Sequence, residues 1–259
     1  MKKVTTLVPV IFALVLFGMA FNLKAFADVR EEINPELIYI DDDCSYQIIE
    51  KQYVYKDFHV KFPQVKTKNR QLDKKVNETI AKYAMASVNT MYPKYPLSED
   101  MNRGLLQSTV EYCITYQDDN YLCVAFDDHF FVGSVFLEFM DFRSVILDMK
   151  TGEKIKLTDI CERNEEFLDE LCKLITDIDT DMKYDAVGID NLWNSWEPKN
   201  ALTRFQSYPI LFSDRWGIGV SYHYGDGKLI SRGYEIYTSD MFNKAKTKGD
   251  VLNKLYSAQ

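Results

Sequence analysis

The chain has 259 residues, of which 46% are apolar and 14% aromatic, so it can bury a substantial core. Its formal charge of −8 argues against nucleic acid or anionic lipid as the main partner. That length suits one large domain or two small ones.

Lys2 and Lys3 precede an apolar run from Val4 to Phe21 that contains no acidic residue. Ala25-Phe26-Ala27 is a small-x-small cleavage signal, and Asp28 opens a polar chain. That order predicts a signal peptide over 1–27, cleaved after Ala27, and a secreted, extracytoplasmic product. The other reading is an uncleaved N-terminal anchor, for which a run of about 18 residues is near the short limit. Pro9 and the cleavage signal favour removal. No Cys stands near the site to make a lipobox, and 254–259 carries no apolar tail, so no membrane association is expected after cleavage. Loss of Lys2, Lys3 and Lys24 makes the remaining chain three units more negative. That charge favours a cationic protein partner, or serves solubility alone.

The first strand signal runs from Tyr53 to Phe62, where Val54, Phe58, Val60 and Phe62 share a face, and Pro63 ends it. A helix is predicted over Arg70–Met91, with Leu72, Val76, Ile80, Tyr83 and Val88 on one side. Ser108–Tyr116 and Tyr121–Phe126 read as a hairpin joined at Asp118-Asp119-Asn120. Its alternation sets Val110, Tyr112 and Ile114 against Thr109, Glu111 and Cys113. Arg143–Asp148 and Lys154–Leu157 bracket a second turn at Lys150-Thr151-Gly152-Glu153. A second helix starts at the N-cap Asn164, with Glu165 and Glu166 in its first turn and an apolar stripe reaching Met182. Strands return at Pro209–Ser213, Ile218–Tyr224 and Gly233–Ser239. Strands and helices do not alternate as βαβ. The expected class is α+β, antiparallel β-sheets with one long helix packed in each half. The expected units are 28–132 and 133–259, packed together.

Five cysteines follow the leader: Cys44, Cys113, Cys123, Cys161 and Cys172. Export permits disulfides, and the odd number leaves at least one thiol over. Cys113 and Cys123 flank a hairpin turn and are the favoured pair; a Cys161–Cys172 bridge would need a compact turn. The pairing stays open.

Catalytic signatures fail one by one. Histidine is confined to His59, His129 and His223, none at metal-ligand spacing from another, and no GxSxG or phosphate-cradling loop occurs. Phe126-Asp127-Asp128 is superficially similar to a polysaccharide deacetylase segment, but His129 replaces its glycine and no paired-histidine motif accompanies it. It reads as a polar strand end. Asp177, Asp179, Asp181 and Asp185 open like a calcium loop, yet Met182 and Gly188 stand where Gly and Glu are required. No metal, cofactor or enzymatic activity is expected.

The order of elements carries a likeness that no single motif does. "YVYKDFHVKFPQV", the helix "LDKKVNETIAKY", the hairpin "VEYCITYQDDNYLCVAFDDHFF" and "GSVFLEFMDFRSVILDMKTGEKIKLTDI" follow in sequence, closed by "FSDRWGIGVSYHYGDGKLISRGYEIYTSDM". This resembles the extracytoplasmic module of RsiV-like anti-sigma factors, also found beside PdaC-type peptidoglycan deacetylases, over about Tyr46 to Phe242. Asp148–Gly152 leading to Leu157–Ile160 is its most specific piece. The resemblance implies a PdaC-type first subdomain, an RsiV-like second one, and a domain of unknown function that binds at the cell envelope. In the anti-sigma branch the ligand is lysozyme. Gly133-Ser134-Val135-Phe136 departs from the family's small-Ala-His step, and Tyr224–Gly233 departs from its aromatic loop, so no residue role is carried over. Neither a sigma-binding segment nor a deacetylase domain accompanies the module here.

The resulting expectation is a secreted, non-catalytic binding protein whose ligand is lysozyme or peptidoglycan. Candidate ligand-binding residues are Trp216, Tyr222, Tyr224 and Arg232, because aromatics and arginine anchor such surfaces; Trp216 and Tyr222 read equally well as core. The rivals are a carboxylate-dependent glycan hydrolase, which requires two carboxylates converging in one pocket, and a purely structural or inhibitory surface protein.

Overall fold

What reads as one strand around Tyr53–Phe62 is two. A computed structural model describes residues 44–55, 58–91, 106–132, 137–162, 164–176, 205–212, 215–224, 231–241 and 243–248. Strand β1 (Gln47–Tyr55) pairs antiparallel with β2 (Phe58–Lys66), from Gln47↔Lys66 to Tyr55↔Phe58. Lys56 and Asp57 between them include no glycine or proline, so the reversal leaves little trace in composition. Pro63 does not end the strand; it pairs with Glu50. It sits beyond Phe58–Val60, the part of β2 that pairs on its other side, so its missing N–H leaves no ladder bond unmade there.

The expected long helix also divides, into α1 (Arg70–Ala84) and α2 (Ala86–Met91), with Met85 between them. Asn69 caps α1, its Oδ1 accepting from Gln71 N at 3.0 Å and Leu72 N at 3.3 Å. Val76, Ile80 and Tyr83 recur at helical spacing and are buried. Asn77 fastens α1 to β2: its Oδ1 accepts from Val65 N at 2.7 Å and its Nδ2 donates to Val65 O at 2.8 Å. Beyond the helices the chain re-enters the sheet as β3 (Leu106–Gln117), parallel to β2 over Phe58↔Ser108 to Val60↔Val110. The helices thus serve as a crossover, which corrects the expectation of wholly antiparallel pairing.

β3, β4 (Tyr121–Val132) and β5 (Leu137–Asp148) form an antiparallel meander of long strands. Asp118 builds the first turn, its Oδ1 accepting from Asn120 N and Tyr121 N. At the end of β5, Asp148 Oδ1 accepts from Lys150 N and Thr151 N, and Gly152 takes φ +68°, the left-handed region glycine reaches without strain. Short β6 (Lys154–Ile155) then pairs with β5, followed by α3 (Leu157–Ile160) and α4 (Glu165–Thr176). Asn164 caps α4 as expected, accepting from Phe167 N at 2.8 Å. The proposed continuation to Met182 and the Asp177–Asp185 set lie outside the described residues.

β7 (Phe205–Leu211), β8 (Trp216–Tyr224) and β9 (Ser231–Thr238) form a second antiparallel group. β9 joins β5 in parallel at Phe139↔Arg232, giving the order β1-β2-β3-β4-β5-β9-β8-β7. β7 ends that path yet touches β3, β4 and β5, so the sheet folds back on itself. Gly219 makes the fold-back possible, since a Cβ there would stand 2.0 Å from the Phe142 ring. Ser221 Oγ fastens it, accepting from Phe142 N at 2.8 Å and donating to Phe142 O at 3.0 Å.

The result is a mostly β arrangement, one mixed sheet with few helices. The boundary proposed at 132/133 falls between β4 and β5, which pair from Tyr121↔Asp148 to Val132↔Leu137. The favoured Cys113–Cys123 bridge is not formed: both are free thiols, as is Cys161. Cys113 pairs with Ala125, and a bulge between Ile114 and Tyr116 sets Cys123 opposite Tyr116.

Candidate functional site

Successive residues of a strand point to opposite faces. The segment Asp127-Asp128-His129 of β4 therefore serves two environments. Asp128 is fully buried beneath the helices and lies directly across from Asp141. Like charges in register repel, and Arg143, 1% exposed, resolves the conflict. Its Nη2 donates to Asp128 Oδ2 at 2.6 Å, its Nη1 to Asp141 Oδ2 at 3.1 Å and its Nε to Tyr83 O at 2.9 Å. Ser87 of α2 and Ser108 of β3 also donate to Asp128. Burial disfavours the guanidinium charge, but Asp128 and then Asp141 outweigh it and hold the group above its ordinary pKa. This is a closed, structural cluster.

The opposite face of the same strands is open. Ala125, Phe142, Ile210, Phe212 and Ile236 make the apolar surround of a cavity of about 370 Å³, and Glu111, Cys113 and Asp127 also line it. That size falls within the range of small-ligand sites. Glu111 and Asp127 are Cα partners across β3 and β4. Lys61 Nζ lies 2.9 Å from Glu111 Oε1, and His129 Nε2 lies 3.2 Å from Asp127 Oδ2. Asp127 Oδ1 is buried and accepts no hydrogen bond.

Burial, and then Asp127, push Cys113 up from its ordinary range, and burial pushes nearby Cys123 up to about 11. Both are protonated at neutral pH, and thiolate is the reactive form. His129 is the register partner of Thr109, four residues along β3 from Cys113. Among the described residues no group of three or more His, Cys, Asp or Glu could hold a metal ion.

Of the four residues singled out from sequence, Trp216 is 2% exposed and belongs to the core. Tyr222, Tyr224 and Arg232 lie at one end of the β8–β9 ladder, where Tyr222 pairs with Gly233 and Arg232 with His223. The connecting residues 225–230 lie outside the described residues. The cavity set was overlooked in the sequence, although one signal pointed to it. Glu111 and Cys113 alternate with the apolar face of β3; the pairing of Glu111 with Asp127 depends on the bulge between Ile114 and Tyr116, since the register at the turn, Tyr116↔Cys123, would set Asp128 there.

No protein-family model and no curated protein matches this sequence. Among solved structures, the chain is similar to a member of the DUF3298 family from Bacteroides fragilis, with 12% identity and a TM-score of 0.44, covering 88% of this chain and 100% of that one. It is also similar to a DUF3298 family protein from Pseudomonas aeruginosa, with 12% identity and a TM-score of 0.39, covering 78% and 94% respectively.

Proposed function

We propose that this protein is an extracytoplasmic, non-catalytic binding module of the bacterial cell envelope, and that its ligand is a basic protein such as lysozyme, or peptidoglycan. One observation carries the reading: an apolar cavity lined by two in-register carboxylates. The order of sequence motifs supports placing it among RsiV-like and PdaC-type modules, with one long helix in each half. Tyr222, Tyr224 and Arg232 are retained as a second contact surface at the end of β8–β9. Calorimetric titration of the purified protein with lysozyme at two salt concentrations tests the reading. Saturable binding that weakens with salt is expected, and no heat at low salt would remove lysozyme as the ligand.

A second reading has support of its own. Glu111 and Asp127 line one cavity and are directly paired across β3 and β4, so two carboxylates meet there as glycoside hydrolysis requires. A general acid is made by withdrawing a carboxyl from charge partners, whereas Glu111 is paired with Lys61 and Asp127 lies beside His129. Binding is therefore the preferred account. Release of reducing ends from peptidoglycan, abolished by Glu111→Gln, would reverse that preference.

A further inference from the structure

We propose that residues 243–248 form a strap that opens on its own, without unfolding of the sheet, and that Glu170 is the clasp holding it shut beside Cys161. The proposal is independent of the cavity and its ligand. The strap lies against α3 and the first half of α4. Glu162 N donates to Lys246 O at 2.7 Å and Lys248 N to Ile160 O at 2.8 Å, framing a single bridge between Cys161 and Thr247. Lys248 Nζ donates to Thr158 O at 2.7 Å, and Asn164 Nδ2 to Lys244 O at 3.3 Å. One side chain gathers the start of the strap. The Glu170 carboxylate accepts from Asn243 N at 2.9 Å, Lys244 N at 3.0 Å and Asn243 Nδ2 at 3.1 Å. Hydrogen bonds to a charged acceptor are stronger than neutral ones, and three converge there.

Little apolar surface backs these bonds. Asn243, Lys244, Lys246, Thr247 and Lys248 are exposed, while Ala245 packs against the core. A segment held by solvent-facing hydrogen bonds with little apolar burial has a low free energy of local opening. Cys161 at the bridge is fully buried, and Lys248 lies close enough to act on its thiol. Burial pushes that thiol up to about 12, so it is unreactive while covered. Cys123 is equally buried but stands in β4 between β3 and β5, with Leu211 N donating to its Sγ at 3.3 Å. The two thiols therefore report two kinds of opening. Release of the strap exposes Cys161, whereas Cys123 is exposed only when the sheet comes apart.

The test is labelling of the full chain with N-ethylmaleimide at low concentration, read cysteine by cysteine by mass spectrometry across sub-denaturing urea. Cys161 is expected to label at least tenfold faster than Cys123, at a rate that barely changes with urea, because local opening exposes little surface. Glu170→Ala should raise the Cys161 rate at least tenfold, and Glu170→Gln, which keeps one acceptor oxygen, by less. Lys248→Met, which removes the bond to Thr158, should raise it several-fold and keeps the test decisive if Glu170→Ala is unstable. Val76→Ala in the buried face of α1 is the opposite control. It destabilises the closed and strap-open forms alike, so it should speed Cys123 and leave Cys161 unchanged. Equal rates for the two thiols with the same urea dependence would overturn the proposal, as would acceleration of Cys161 by Val76→Ala. Fast, urea-independent labelling of Cys161 that Glu170→Ala does not change would overturn the role of Glu170 as the clasp.

Discussion

Asp127 and Asp128 are sequence neighbours in β4, and each faces an acidic residue across a strand pair. Around Asp128 the space is closed: Arg143, Ser87 and Ser108 donate to it, and the carboxylate is fully buried. Around Asp127 the space is open: a cavity lies beside it, its side chain is 41% exposed, and Lys61 and His129 stand at the two carboxylates. The same chemical problem, two carboxylates in register, is solved by one internal cation on the helix face and by exposure and separate basic partners on the other. An acidic pair in a strand thus reveals its role through what bridges it.

The largest effect should come from breaking the closed side. Arg143→Met leaves Asp128 and Asp141 facing each other in the core, and is expected to cost about 3–5 kcal/mol, as removal of one partner from a buried ion pair does. Denaturant unfolding measures it; a loss below about 1 kcal/mol would show the cluster to be dispensable.

Gly219→Ala touches both sides of the comparison. The added methyl meets the ring of Phe142, a cavity residue whose backbone N–H and C=O are both held by Ser221. Overpacking of this kind is expected to cost about 1–3 kcal/mol and to shift the β7–β9 arm. Unfolding gives the first quantity, and changes in the amide spectrum of β5 and β8 show the second.

A smaller effect concerns pH. Glu170 is opposed by burial, but the N–H groups of Asn243 and Lys244 and the Asn243 side chain outweigh it, so its pKa lies below the usual 4.5. The backbone N–H of Ser45 likewise lowers Asp119 from 3.8. A depressed carboxylate stabilises the fold above its unfolded pKa and loses that contribution as pH falls through the folded value. Stability should therefore decline from about pH 4.5 downward, and Glu170→Gln with Asp119→Asn should flatten the decline. An unchanged slope in thermal melts would contradict this assignment.

Local chemistry was readable from sequence. Asn164 as a cap, Asp118 at a hairpin and Gly152 in a turn all act through neighbours within a few residues. Non-local pairing was not. The β2–β3 crossover returns after two helices, and the fold-back of β7–β9 depends on Gly219 meeting Phe142, which no periodicity encodes. Nothing near Arg143 in the sequence marks its role, because its donors reach Asp128 and Ser87, which are 15 and 56 positions away. The site suffered for the same reason. Trp216 reads from sequence equally well as anchor or core, and its burial places it in the core; Glu111 and Asp127 meet because β4 extends beyond Phe126.

Asp127→Asn and Asp128→Asn, compared side by side for unfolding free energy, test the central contrast most directly. The prediction is that Asp128→Asn loses stability by about 2 kcal/mol or more, as weakening of a buried charge network does. Asp127→Asn should keep its stability within about 0.5 kcal/mol. Equal losses of stability in the two variants would contradict the account.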